Sequence, residues 1–227
     1  MNRFVFIILS FGWVVSAHAA LSTEKIIELC SDTEDTYHCA RVIETEQLKS
    51  VPNNLARRGS GDEKTVLTIR LSQNLFSDPP QEIKFIDKEG KSYSVWDYWS
   101  AFDALLLLVI DGEESYYLWL YNGNGQTVRL PAEPSFSQDN KRIVTADFCE
   151  ENCRNEIAIW QIRKGLPVKT RVWTPKEQWE DAEATWVSLA EIKLVYRVKE
   201  GKDYQEMIVS PGKEIRNKKE LLRNMFR

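Results

Sequence analysis

The strongest constraint on the fold is a string of short segments in which branched and aromatic residues alternate with polar ones, broken by Gly, Asn and Asp turns. Thr65-Val66-Leu67-Thr68-Ile69-Arg70-Leu71 alternates in this way, and so does Glu82-Ile83-Lys84-Phe85. A period of two sends successive side chains to opposite faces, so such segments are predicted strands with one face buried. Asp87-Lys88-Glu89-Gly90 reads as a hairpin turn from the second segment into Ser92-Tyr93-Ser94-Val95. Strands are predicted over most of residues 64–216. After the N-terminal leader described below, the longest apolar run, Ala104 to Ile110, is strand-sized.

A weak repeat runs through this region. Trp99-Ser100-Ala101-Phe102-Asp103 leads into Leu105 to Ile110, a turn at Asp111-Gly112, Tyr116 to Tyr121, Asn122-Gly123-Asn124-Gly125 and Thr127 to Leu130. The same order recurs with Phe136, Ile143-Val144, Ile157 to Trp160 and Val168 to Trp173, then with Trp186, Ile192 to Val198 and Met207 to Val209. Trp119 and Trp160 stand 41 positions apart, and Ile159 and Ile208 stand 49 apart. Units of that size with three or four strands suit propeller blades.

The second unit carries recognisable text. Pro134-Ser135-Phe136-Ser137-Gln138-Asp139-Asn140-Lys141-Arg142-Ile143-Val144, continued by Glu156-Ile157-Ala158-Ile159-Trp160, resembles the start of the WD40-like blades of TolB-type β-propellers. Gln138 stands where that pattern has proline and Asn140 where it has glycine; asparagine tolerates the left-handed backbone such a turn needs. The resemblance implies that Phe136 packs between adjacent blades, that Asp139-Asn140 forms a tight turn, and that the protein is a binding scaffold rather than a catalyst. Closed propellers have four to eight blades. Three units are visible from Trp99 to Ile215, and residues 64–98 are the candidate fourth. The expected fold is therefore mainly β, with antiparallel blade-like sheets forming a small or incomplete propeller; a β-sandwich is the alternative.

The N-terminus reads as a secretory signal over residues 1–19: Arg3 is the positive flank, Phe4 to Val15 the apolar stretch, and Ala17-His18-Ala19 the small-x-small cleavage pattern. The apolar stretch is too short to span roughly 30 Å of hydrocarbon. The expected address is the bacterial periplasm, with no integral membrane segment after cleavage. Cys30, Cys39, Cys149 and Cys153 all follow the signal, and an even count in an exported chain points to disulfides. Proximity favours Cys30–Cys39 and Cys149–Cys153 among the three possible pairings. Ser22 is a predicted N-cap with Ile26, Leu29 and Cys30 on one helical face, and a second helix is predicted after Ser31-Asp32-Thr33-Glu34 with Cys39, Val42 and Ile43 on its apolar face. A disulfide between those faces clamps a helical hairpin in residues 20–63, which end in a polar loop over 52–62. Cys149-Glu150-Glu151-Asn152-Cys153 reads as a stapled turn; a redox or copper role is the alternative, disfavoured by the two intervening glutamates. Residues 217–227 read as a short basic amphipathic helix, either a docked C-terminal cap or a contact for an anionic surface or partner.

Composition narrows the chemistry. A net charge of −4 and pI near 5.4 argue against nucleic-acid binding. Beyond the signal the single histidine is His38, beside Cys39, so neither a nucleophile–base device nor a zinc site is expected, and no cofactor. Trp119, Trp160 and Trp186 fall on strand positions that a core buries. Trp96, Trp99, Trp173 and Trp179 are the candidates for an exposed binding face. Carboxylates gather near them: Asp103, Asp111, Glu113 and Glu114 at one strand's ends, and Glu177, Glu180, Asp181 and Glu183 around Trp179 and Trp186. Asp103, Asp111 and Glu180 join the four tryptophans as expected binding residues. The expected function is a periplasmic interaction protein without catalytic activity, its partner an envelope protein or glycan, with an inhibitor or immunity-type role in that class. A carboxylate-dependent envelope enzyme acting on glycans is the alternative.

Overall fold

The computed structural model describes residues 21–52, 55–72, 81–151, 153–199 and 201–211. The expected signal peptide at 1–19 and the expected helix at 217–227 lie outside the described residues.

Helix α1 (Thr23–Cys30) starts where Ser22 accepts a hydrogen bond from the Lys25 amide at 3.3 Å. Helix α2 (Thr36–Ser50) follows Ser31 to Glu34, where the sequence pattern places it. Its N-cap is Asp35, whose carboxylate accepts from the His38 amide at 2.8 Å, and Ser31 to Glu34 belong to the connection. Cys30 is bonded to Cys39, with Cα atoms 4.9 Å apart, and the hairpin is clamped as expected. Val42, expected on the apolar face, is exposed. The buried face of α2 is Ala40, Ile43, Glu44 and Gln47, and Val42 stands about 100° round the helix from Ile43.

The rest is four antiparallel sheets, each a meander in chain order. The first holds β1 (Ala56–Arg58), β2 (Val66–Arg70) and β3 (Glu82–Ile86). The second holds β4 (Lys91–Trp99), β5 (Ala104–Asp111), β6 (Glu114–Tyr121) and β7 (Thr127–Leu130). The third holds β8 (Ser135–Phe136), β9 (Arg142–Asp147), β10 (Glu156–Arg163) and β11 (Leu166–Trp173). The fourth holds β12 (Trp179–Trp186), β13 (Ile192–Val198) and β14 (Gln205–Val209). Two expectations are corrected. The polar stretch 52–62 is not all loop, because β1 pairs with β2 through Arg57↔Thr68. Residues 87–90 do not join two strands of one sheet: β3 ends the first sheet and β4 begins the second. Asp87 makes the corner, its carboxylate accepting from the Tyr93 amide at 3.0 Å and pairing with Arg41.

The core is three apolar layers, one between each pair of successive sheets. Leu67 and Ile69 meet Val95, Leu105, Leu107 and Leu120 between the first and second, joined by Val51 after α2. Ala104, Leu106, Trp119 and Leu130 meet Ile143, Ala158 and Trp160 between the second and third. Val144, Ile157 and Ile159 meet Trp179, Ala184, Trp186, Ile192, Leu194 and Val209 between the third and fourth. β5 explains itself here: Leu105 and Leu107 face one layer, Ala104 and Leu106 the other, so its apolar run is a strand buried on both faces. Among the described residues no such layer joins the fourth sheet to the first, and the sheets form no closed barrel.

Two devices lock the stack. Phe136 lies against Trp99, Phe102 and Trp119, at ring-centroid distances of 4.8, 5.7 and 6.1 Å, which wedges the short β8 onto the second sheet. The turn after β8 follows the sequence expectation: Asn140 has φ +55°, and Asp139 accepts from the Ser137 hydroxyl at 2.7 Å. The second device seats the helices. Buried Glu44 of α2 accepts from Arg58 Nε at 2.9 Å and Arg41 NH1 at 2.7 Å, while Asp87 pairs with both arginines. Both guanidiniums also donate to the Tyr93 carbonyl. Two cations, two anions and a carbonyl satisfy one another where α2, β1 and β4 meet. Removing one member leaves a buried charge unpaired, which costs about 3–5 kcal/mol. Glu44→Ala is expected to lower the urea-unfolding free energy by about that much; a loss under about 1 kcal/mol would contradict the role given to this network.

Candidate functional site

The expected binding residues do not converge. Trp179 is 3% exposed and stacks on Tyr196 at 3.9 Å, so it belongs to the core, as its inward position on β12 requires. Trp173, half-buried, packs edge-on against Trp179 at 5.5 Å. Trp99, also half-buried, lies 4.6 Å from Trp119 inside the second junction. Trp119, Trp160 and Trp186 are buried as anticipated. Asp103 is a turn residue: its φ is +48°, it accepts from Asn122 Nδ2 at 3.1 Å, and it pairs with the Ser72 hydroxyl. Asp111 is exposed and pairs with Lys91 at 2.5 Å. Glu180 lies 3.5 Å from Arg197 across the fourth sheet.

Of the four tryptophans proposed for a binding face, Trp96 is the one that keeps company with carboxylates. Its ring meets Tyr117 edge-on at 5.6 Å. The Glu133 carboxyl lies near enough to both rings for them to act on its protonation, and the more distant charge of Glu183 acts on it as well. The topology explains the meeting. β4, β8 and β12 are the first strands of consecutive sheets and run along a common edge of the stack. Trp99 touches Phe136 between β4 and β8, and the Trp186 amide donates to Ser135 Oγ at 3.1 Å between β12 and β8. Glu133 sits where the chain crosses from second sheet to third, held in Pro131-Ala132-Glu133-Pro134; the two prolines limit its backbone freedom. Trp96 comes from β4, Tyr117 from β6 and Glu183 from β12.

The electrostatics follow from this crowding. Glu133 is exposed by overall area, yet its carboxyl end lies among protein atoms, and this loss of water raises its pKa, with the nearby Glu183 charge adding to the rise. The polar hydrogens of Trp96 and Tyr117 nearby oppose it. Tyr117 is raised in turn, first by burial and then by the Glu133 charge. The result is a carboxyl whose affinity for a proton is raised, set beside an indole and a phenol within reach of a second carboxylate's charge. Such a set can accept hydrogen bonds from hydroxyl or amine groups while its rings cover an apolar face. Glu183 was among the carboxylates the sequence brought forward. Tyr117 and Glu133 were not, and the Pro-Ala-Glu-Pro crossing is the signal that points to Glu133.

Other candidates have structural employment. The single described histidine, His38, pairs with Asp35 at 2.8 Å in the α2 cap. Cys149 and Cys153 are bonded to each other, which leaves neither sulfur as a thiolate. Among the described residues no three His, Cys, Asp or Glu side chains are placed to hold a metal ion, and no helix is long and apolar enough to cross a membrane. A cleft of about 270 Å³ beside α2 is lined by Tyr37, Arg41, Glu44 and Arg58, whose charges the helix clamp already pairs. Comparison with protein-family models, curated proteins and solved structures finds no match for the chain.

The raised Glu133 makes a pH prediction. A folded-state pKa above the unfolded value stabilises the protein below the ordinary glutamate value of 4.5, and this stability is lost as pH rises through the folded value. Glu133→Gln is expected to flatten that part of the stability–pH curve and to be more stable than the parent near pH 7. Parallel curves for the two proteins from about pH 4 to 7 would contradict the placement of this carboxyl.

Proposed function

We propose that this chain is an exported, periplasmic binding protein without catalytic activity, and that Trp96, Tyr117, Glu133 and Glu183 form its recognition site for an envelope protein or glycan. The observation that carries the reading is the meeting of Trp96 and Tyr117 with the Glu133 carboxyl where the chain crosses from the second sheet to the third, within reach of the Glu183 charge. Export is supported by the leader pattern at 1–19 and by two formed disulfides, which belong to oxidising compartments. The WD40-like text at 134–160 supports a blade-type scaffold, on which loops and strand edges bind while the sheets stay rigid. An inhibitor or immunity-type role fits a site of aromatic and acidic anchors, since such side chains dominate protein–protein recognition when the partner is basic.

A second reading has one observation in its favour. A protonatable glutamate beside a second carboxylate is the arrangement that glycoside hydrolysis uses. Incubating the purified, oxidised protein with peptidoglycan and oligosaccharides separates the two: binding without new reducing ends fits the proposal, and turnover abolished by Glu133→Gln would replace it with the enzyme.

The direct test compares the parent with Trp96→Ala and Glu133→Ala in capture from envelope extracts. One partner or glycan fraction is expected to be retained by the parent and lost by roughly tenfold or more from each variant, the usual scale for an anchor residue. Equal retention by all three would remove the site.

A further inference from the structure

The third junction is less complete than the second. Between the second and third sheets, the outermost strand β7 adds Val128 and Leu130 to the apolar layer. In the fourth sheet β14 is the outermost described strand and pairs only with β13. The space beside it is an apolar groove lined by Ile157 and Ile159 of β10, Val172 and Trp173 of β11, Val209 and Pro211. The register of β11 turns Trp173 and Val168, the latter 41% exposed, to the same face as Ile157 and Ile159. Polar or basic residues blunt a sheet edge against outside strands; β11 carries Lys169 and Arg171, whereas β14 ends in Met207-Ile208-Val209.

The chain itself leads into this groove. Pro211, the last described residue, is one of its walls, and Arg171 NH1 donates to the Pro211 carbonyl at 3.3 Å, which fixes where the following segment sets out. Residues 212–227 bring five large apolar side chains, Ile215, Leu221, Leu222, Met225 and Phe226, among six lysines and arginines. Ile215, Leu222 and Met225 or Phe226 recur at the spacing of one helical face, and the basic residues fall largely elsewhere.

We propose that residues 212–227 are the occupant of the groove: their apolar side chains cover Ile157, Trp173 and Val209, complete the third junction and cover the open side of the fourth sheet. A segment starting at the groove wall reaches it at high effective concentration, an advantage that no outside partner has. The basic side chains then stay in solvent, and Val168 of β11 is withdrawn from the surface.

Hydrogen–deuterium exchange on the full chain and on a chain ending at Pro211 tests this. In the full chain, amides within 215–226 are expected to exchange roughly tenfold or more slowly than in the free peptide of that sequence. In the shortened chain, β11 and β14 are expected to lose protection while β4 to β7 keep theirs. Val168→Asp, a change at a partly exposed position on the groove side of β11, is expected to release the 215–226 amides, and Leu222→Asp to release β11. Free-peptide exchange across 215–226 would overturn the proposal. So would co-sedimentation of the full chain with phosphatidylglycerol vesicles that requires Leu222 and leaves β11 unprotected, which would make the segment a membrane-surface contact.

Discussion

Every sheet in this protein depends on its neighbours for burial. A three- or four-stranded meander cannot hide an apolar face by itself, so each presses its face against the next sheet in the chain. The second and third sheets are sandwiched on both sides, which is why β5 is apolar at nearly every position and Trp119 is wholly buried. The first and fourth sheets are sandwiched on one side only. Their outer faces read accordingly: Arg57 and Lys84 on the first, Asp181, Glu183 and the Lys193–Glu206 pair on the fourth. Polar end faces are what a stacked array needs if it is not to polymerise.

The same ordering creates the candidate site. Because consecutive sheets keep their first strands side by side, side chains far apart in sequence meet there, as Trp99 and Phe136 do between β4 and β8. The helices contribute differently. The disulfide restrains α1 against α2, and the Glu44–Arg58–Arg41–Asp87 network ties α2 to the corner between the first two sheets. The network joins helix, strand and corner in one set of charges, so the hairpin has a single seat. Burial of that many charges costs more than an apolar contact would, and its return is orientation.

The strands were legible because alternation survives wherever one face is dry and the other wet. β2 and β3 fall where the pattern places them, and both disulfides follow from proximity in sequence. Boundaries set by long-range contacts were not legible. Nothing local announces that Arg58 will be drawn into a strand by Glu44 and Asp87, or that the Asp87 turn joins two sheets instead of two strands. Tryptophans were the hardest to place. Trp179 is flanked by Glu177, Glu180 and Asp181, a surface-like setting, but the register of β12 against β13 turns its ring inward onto Tyr196. Glu133 was hidden for the opposite reason: its partners come from three elements, and no spacing along the chain records their meeting.

The central claim is that one edge of the stack, and not the scattered surface acids, recognises an envelope partner. Site-directed photocrosslinking in exporting cells tests it most directly, with a photoreactive residue placed at position 96 and, as a control, at exposed position 86 at the end of β3. The account requires a discrete adduct from position 96 that position 86 does not give. Absence of an adduct at 96, or the same adduct from both positions, would contradict it.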